Sequence, residues 1–256
     1  ILKLAPANPI FLRVVSAAGR RFRHALIRWL YLGLLCLSLV VMLAASGGGG
    51  GRSLSDLAKT STQVFAFISV IQLGMICLLA PVFTAGAITQ ERDSRTYHIL
   101  LATPLTNLQI VLGTLLSRMY FVLTLLLAGV PVFAITLFYG GVTGRSIALS
   151  FAIATSTGLF MGALAIAIAV FRLGTGKTVF WFYVFNAVFL VGVFLIDLQI
   201  RTHGTTLLTG LHPFLALESV VSPTSYPTPQ LSSLVGVPWL FRWYLAYPAY
   251  AYVVLT

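Results

Sequence analysis

Two long apolar runs flank one dense polar stretch, Thr89 to Thr106, reading TQERDSRTYHILLATPLT. Charges packed this closely must lie outside a bilayer, while the flanking runs are long enough to cross one. With an apolar content of 59% against 8% charged residues, the chain has too little polar surface to cover a soluble globule. The expected architecture is an all-α polytopic membrane protein with a short cytoplasmic helix at its centre. Reading Arg92 to Ala102 as helix puts Tyr97, Leu100 and Leu101 on one stripe and Glu91, Arg95 and His98 on another. Pro104 stops it. Such a helix can bury its apolar stripe and offer its polar one to a soluble protein.

The rest of the chain reads around that segment. Asn8 and Pro9 make a helix start, and Phe11, Val15, Ala18, Phe22, Leu26 and Trp29 recur at helical spacing opposite Arg13, Arg20 and His24. Residues 8–28 are thus expected as an amphipathic helix on the membrane surface. Spans are expected at 29–45, 63–87, 108–139, 146–171 and 178–198, with a sixth, cut off by the end of the sequence, at 239–256. The run Gly47 to Gly51, continuing through Arg52, Asp56 and Lys59, reads as a flexible loop. Pro131 is the expected kink in the third span. Residues 199–238, rich in Pro, Ser and Thr, form an external loop with room for short helices. The chain opens without methionine and closes inside an apolar run, so it reads as a piece of a longer polypeptide.

Orientation follows from the cations. With the N-terminus inside, the cytoplasmic side holds Lys3, Arg13, Arg20, Arg21, Arg23, Arg28, Arg92, Arg95, Arg172 and Lys177, with Arg118 near that end of the third span. The outer side holds Arg52, Lys59, Arg145 and Arg201. That imbalance places the N-terminus in the cytoplasm. The net charge of +11 is read as this membrane-side bias rather than as nucleic-acid binding, since no soluble basic domain exists to carry it.

Chemistry is sparse. LGTGKT at Leu173 to Thr178 looks like a phosphate loop, but Phe171 stands where the motif needs glycine, and apolar helices flank it instead of a strand. Enzymes working inside a bilayer keep ionisable pairs at mid-depth, and neither such a pair nor HExxH nor GxSxG occurs, so no catalytic residue and no metal ligand is assigned. Cys36 and Cys77 read as small apolar residues. Gln72, Thr124, Thr157 and Asn186 lie within spans and are the candidates for a substrate path, each weighed against a role in bonding helices together.

The run AGAITQERDSRTYHILLATPLTNLQIVLGTLLSR, Ala85 to Arg118, resembles the ABC-2 type transporter permeases. Glu91, Arg92, Thr96, Leu100, Leu101, Thr103, Pro104, Ile110, Val111 and Gly113 fall on that family's pattern, while Asp93, His98 and Thr114 depart from it. The resemblance implies a single ABC-2 transmembrane domain over 1–256, with residues 90–104 as the coupling helix that docks on an ABC ATPase. Glu91, Arg92, Asp93, Arg95, Thr96, His98, Leu100, Thr103 and Pro104 would make that contact. It also implies a dimer with a second permease copy or paralogue, ATP and magnesium bound by the partner ATPase with no cofactor in this chain, and a place in the plasma membrane, the inner membrane of a bacterium. The expected function is a transport subunit for export. An ABC-linked scaffold in a non-transport process and an intramembrane enzyme are the alternatives.

Overall fold

The computed structural model describes residues 22–45, 53–93, 107–169, 175–200, 205–223, 226–230, 236 and 238–256. Among them every regular element is a helix. Five are long: α1 (Phe22–Ala45), α2 (Leu54–Asp93), α3 (Asn107–Phe138), α4 (Gly144–Ala169) and α5 (Thr175–Ile200). Each is long and apolar enough to cross a membrane. Short connections make successive helices antiparallel, so α1, α3 and α5 run from the near side, where α1 begins, to the far side, and α2 and α4 return.

Several boundaries differ from the sequence expectation, each for a local reason. No break separates an interfacial segment from the first span at residue 28: Phe22 to Ala45 is one helix, with Arg23, His24 and Arg28 in its opening turns. Residues 8–21 of the expected surface helix lie outside the described residues. α2 begins at Leu54, not near Gln63, because Ser53 and Asp56 form a reciprocal cap. The Ser53 amide donates to Asp56 Oδ2 at 3.3 Å, and the Asp56 amide donates to Ser53 Oγ at 3.2 Å. Leu54 to Lys59, expected as loop, is therefore helical. The expected sixth span, 239–256, is instead two eight-residue helices, α7 (Trp239–Ala246) and α8 (Pro248–Leu255). Pro248 is the cause: it pushes Tyr247 out of the helical region, to φ −131° and ψ 61°. Each piece is about 12 Å long, too short to span alone.

The 199–238 region contributes α6 (Pro213–Val221). It is no surface appendage, since Ala216, Leu217 and Val221 belong to the main apolar core and the helix packs on α2, α4 and α8.

α2 is the axis of the bundle, packing against α1, α3, α4, α5 and α6. Phe65 of α2 meets Phe133 of α3 edge to face at 6.0 Å, and Phe133 meets Phe151 of α4 at 5.0 Å. Ser61 donates to the carbonyl of Thr136 at 2.6 Å. At the far end of α2 the turn between α3 and α4 closes over Ala58: Gly141, at φ +81°, lies so close that a Cβ there would sit 2.3 Å from the Ala58 carbonyl oxygen. By contrast, α1 and α5 turn large apolar side chains outward, Trp29, Leu30 and Leu37 on one and Phe180, Val188 and Val191 on the other. Such surfaces need lipid or another helix as solvent.

Candidate functional site

Three groups of residues bear on function, and α2 connects two of them. The first is the near-side connection between α2 and α3, with the helix ends that flank it. α2 stays helical through Glu91, Arg92 and Asp93, so these three continue the transmembrane helix instead of opening a separate one at residue 90. Arg95, Thr96, His98, Leu100, Thr103 and Pro104 lie outside the described residues. α3 starts at Asn107, so the polar segment is held between the ends of two packed antiparallel helices.

The second group is the set of polar side chains inside the bundle. Of the four substrate-path candidates, two have their hydrogen bonds within the protein. Thr124 donates to Phe121 O at 2.8 Å in its own helix. Thr157 is 2.7 Å from Ile153 O and 2.8 Å from the hydroxyl of Tyr252, tying α4 to α8. The other two retain unused capacity. Gln72 is 1% exposed with neither amide atom partnered, and Asn186 is buried with Oδ1 unpartnered. Two further residues, not singled out by sequence, share this property: Tyr31 of α1 and Ser69 of α2 are buried with their hydroxyls unpartnered. Burying such groups costs free energy that most proteins recover by pairing them.

Register places most of these near one another in depth. The Ser61 to Thr136 bond and the Phe65 to Phe133 contact fix α2 antiparallel to α3. Continuing that register brings Ser69 level with Gly129 and Gln72 level with Leu125 and Leu126. Tyr31 arrives at the same depth from α1: its hydroxyl is 2.7 Å from where a Cβ on Gly129 would stand. Thr124, Thr157 and Asn186 belong to other contacts of the bundle.

The third group lies toward the far side. Asp197, 1% exposed near the end of α5, accepts from the hydroxyl of Thr206 and, at 3.4 Å, from that of Tyr226. Thr209 Oγ1 is 2.7 Å from the Tyr226 hydroxyl. His212 caps α6, its Nδ1 accepting the Leu215 amide at 3.3 Å, while Nε2 donates to Leu190 O of α5 at 3.1 Å. Burial lowers the His212 pKa to about 4, opposed by the Leu190 carbonyl and the Asp197 carboxylate. In sequence Asp197 falls at the end of the expected 178–198 span and His212 within the expected 199–238 loop, with nothing to pair them. The His-Pro pair opening an apolar segment was the available signal, a cap followed by proline at the first helical position. A carboxylate at a helix C-terminus opposes the helix dipole, and hydroxyl donors offset that here. Among the described residues no group of three or more His, Cys, Asp or Glu is placed to hold a metal ion.

The family model described as ABC-2 family transporter protein matches residues 22–254. No curated protein matches the chain.

Proposed function

The chain belongs to the ABC-2 family of transporter proteins, and from that premise we propose that it is half of an export pathway driven by ATP hydrolysis in a partner ATPase. As an ABC transporter permease it is an integral membrane component, and the family implies an ABC ATPase as its partner. In our reading the near side faces the cytoplasm, following the excess of Lys and Arg there. A second permease copy or a paralogue supplies the other half of the pathway. ATP and magnesium belong to the ATPase, whose closure would push on the segment around Glu91 to Pro104.

The observation that carries this reading is the continuity of α2. One 40-residue helix runs from the far-side cap at Ser53, past the unpartnered Gln72, to Glu91, Arg92 and Asp93. A force applied at the polar end is therefore delivered to the middle of the bundle without a loop intervening. Gln72 and Asn186 remain candidates for contact with substrate, whereas Thr157 is better explained as a link between helices.

The test is made on the full assembly in lipid nanodiscs. Glu91→Ala and Arg92→Ala should each lower membrane-stimulated ATP turnover by about tenfold, the scale of a lost charge-assisted hydrogen bond, with thermal stability unchanged. Wild-type turnover in both variants would sink the coupling assignment.

A further inference from the structure

The helices α1, α2 and α3 meet along one seam. On the far side it is open, as a crevice of about 200 Å³ lined by Leu39 and Leu43 of α1, Thr60 and Val64 of α2, and Ile135 and Tyr139 of α3. That exceeds the roughly 150 Å³ of an apolar cavity that admits a benzene ring. The walls are aliphatic and the polar groups are hydroxyls, with no ionisable acid or base except the phenol of Tyr139.

The seam does not stop at the crevice floor. Leu43, Leu39, Leu35 and Tyr31 are spaced four apart and form one stripe of α1. On α2 the matching stripe is Ser61, Val64, Ile68 and Gln72, and on α3 it is Thr136, Val132, Gly129 and Leu125. Leu35, Ile68 and Val132 are buried between them and close the middle. At the depth below that closure these stripes carry Tyr31 and Gln72, whose hydroxyl and amide are buried and without partners. Along α2, Ser61 and Gln72 are about 16 Å apart, the length of four to five extended residues.

We infer that this seam is a binding site for an uncharged, elongated, largely apolar molecule bearing amide-like groups. The chemistry of the lining makes the choice. An unpartnered glutamine offers donors and acceptors together, and an amide answers both. A charged group would enter a lining that holds no counter-charge, at high cost. α1 is the movable wall, since it turns most of its own surface outward and holds the seam shut by Leu35 and Tyr31. This rests on the reading of Gln72 as part of the substrate path, and adds the substrate's chemistry and its way in from the flank.

The probe is a capped leucine tetrapeptide amide carrying one diazirine-bearing leucine, photolysed with the full assembly in phosphatidylcholine nanodiscs. Saturable labelling should map to Leu39, Val64 and Ile135, and the same peptide with a free carboxylate should label about fivefold less. Gln72→Leu, and separately Tyr31→Phe, should cut labelling by about fivefold while the melting temperature holds or rises, because an unpaired polar group has been removed. A merely structural glutamine would instead lower it. Labelling no greater than on the outward face of α5 at Val188 and Val191, or indifferent to both substitutions, would overturn the site and leave water as the partner of Gln72. Saturable labelling in an assembly whose ATP turnover ignores Glu91→Ala would keep this site and remove the coupling assignment; the reverse pattern would remove the site and keep the coupling.

Discussion

The hydroxyl of Tyr183 on α5 donates to the carbonyl oxygen of Leu78 on α2 at 2.5 Å, three residues before Pro81. A backbone carbonyl has a second lone pair, so a hydroxyl from a neighbouring helix can bond it across the interface. Tyr183→Phe keeps the edge contact with Phe182 and removes only the donor. The expected loss is about 0.6 to 1.7 kcal/mol, read as a lower melting temperature in mild detergent. An unshifted transition would show that the hydroxyl carries no stability.

Gly129 gives Tyr31 its place. A methyl group on residue 129 would lie 2.7 Å from the Tyr31 hydroxyl oxygen and 3.3 Å from Leu35 Cδ1. Gly129→Ala should therefore destabilise the bundle by about 1 to 3 kcal/mol, the usual cost of overpacking. Tyr31→Phe in the same chain removes the nearest atom and should restore most of that loss. A double-mutant cycle on melting temperature measures the coupling; additive effects would mean that the two residues do not meet as described.

His212 should make stability fall with acid. Its pKa is about 4 in the folded chain against 6.5 unfolded, so between those values the unfolded chain binds more protons than the folded one. Stability is then full above pH 6.5, declines as pH falls toward 4, and levels off below, by roughly 3 kcal/mol in all. The main cause is burial of the ring, and a proton on Nδ1 would also displace the Leu215 amide bonded to it. His212→Asn keeps a capping oxygen without titrating. Melting curves from pH 4 to 7.5 should converge at the acid end for the two proteins; parallel curves would assign the acid sensitivity elsewhere.

Hydropathy located the five long helices because a bilayer-crossing helix is a local property, written in some twenty consecutive residues. The break at Pro248 is equally local, but its uniformly apolar flanks read as one continuous span. The cap at Ser53 was hidden by the polar composition around it, which suits a loop or a first helical turn alike. The site was harder to read. Gln72, Thr124, Thr157 and Asn186 look the same in sequence, as polar residues in apolar runs, yet two are bonded internally and two are not. Satisfaction of a donor or acceptor depends on what the neighbouring helix brings opposite, and so does the isolation of Tyr31, which sequence offers as one more aromatic residue in a span. Asp197 and His212 are joined by a packing event, the docking of α6, that no periodicity announces.

The closure of Gly141 over Ala58, with Ser61 bonded to Thr136 beside it, makes the far end of α2 a fulcrum. Motion of the helix about that point grows in proportion to distance along the rod. At 1.5 Å per residue, Gln72 is about 21 Å and Asp93 about 52 Å from Ala58, so a displacement at the near-side tip reaches Gln72 at about two-fifths of its size. On the reading proposed above, α2 would act as a reducing lever: a large stroke from an ATPase docked at the near end would become a small, forceful displacement at Gln72.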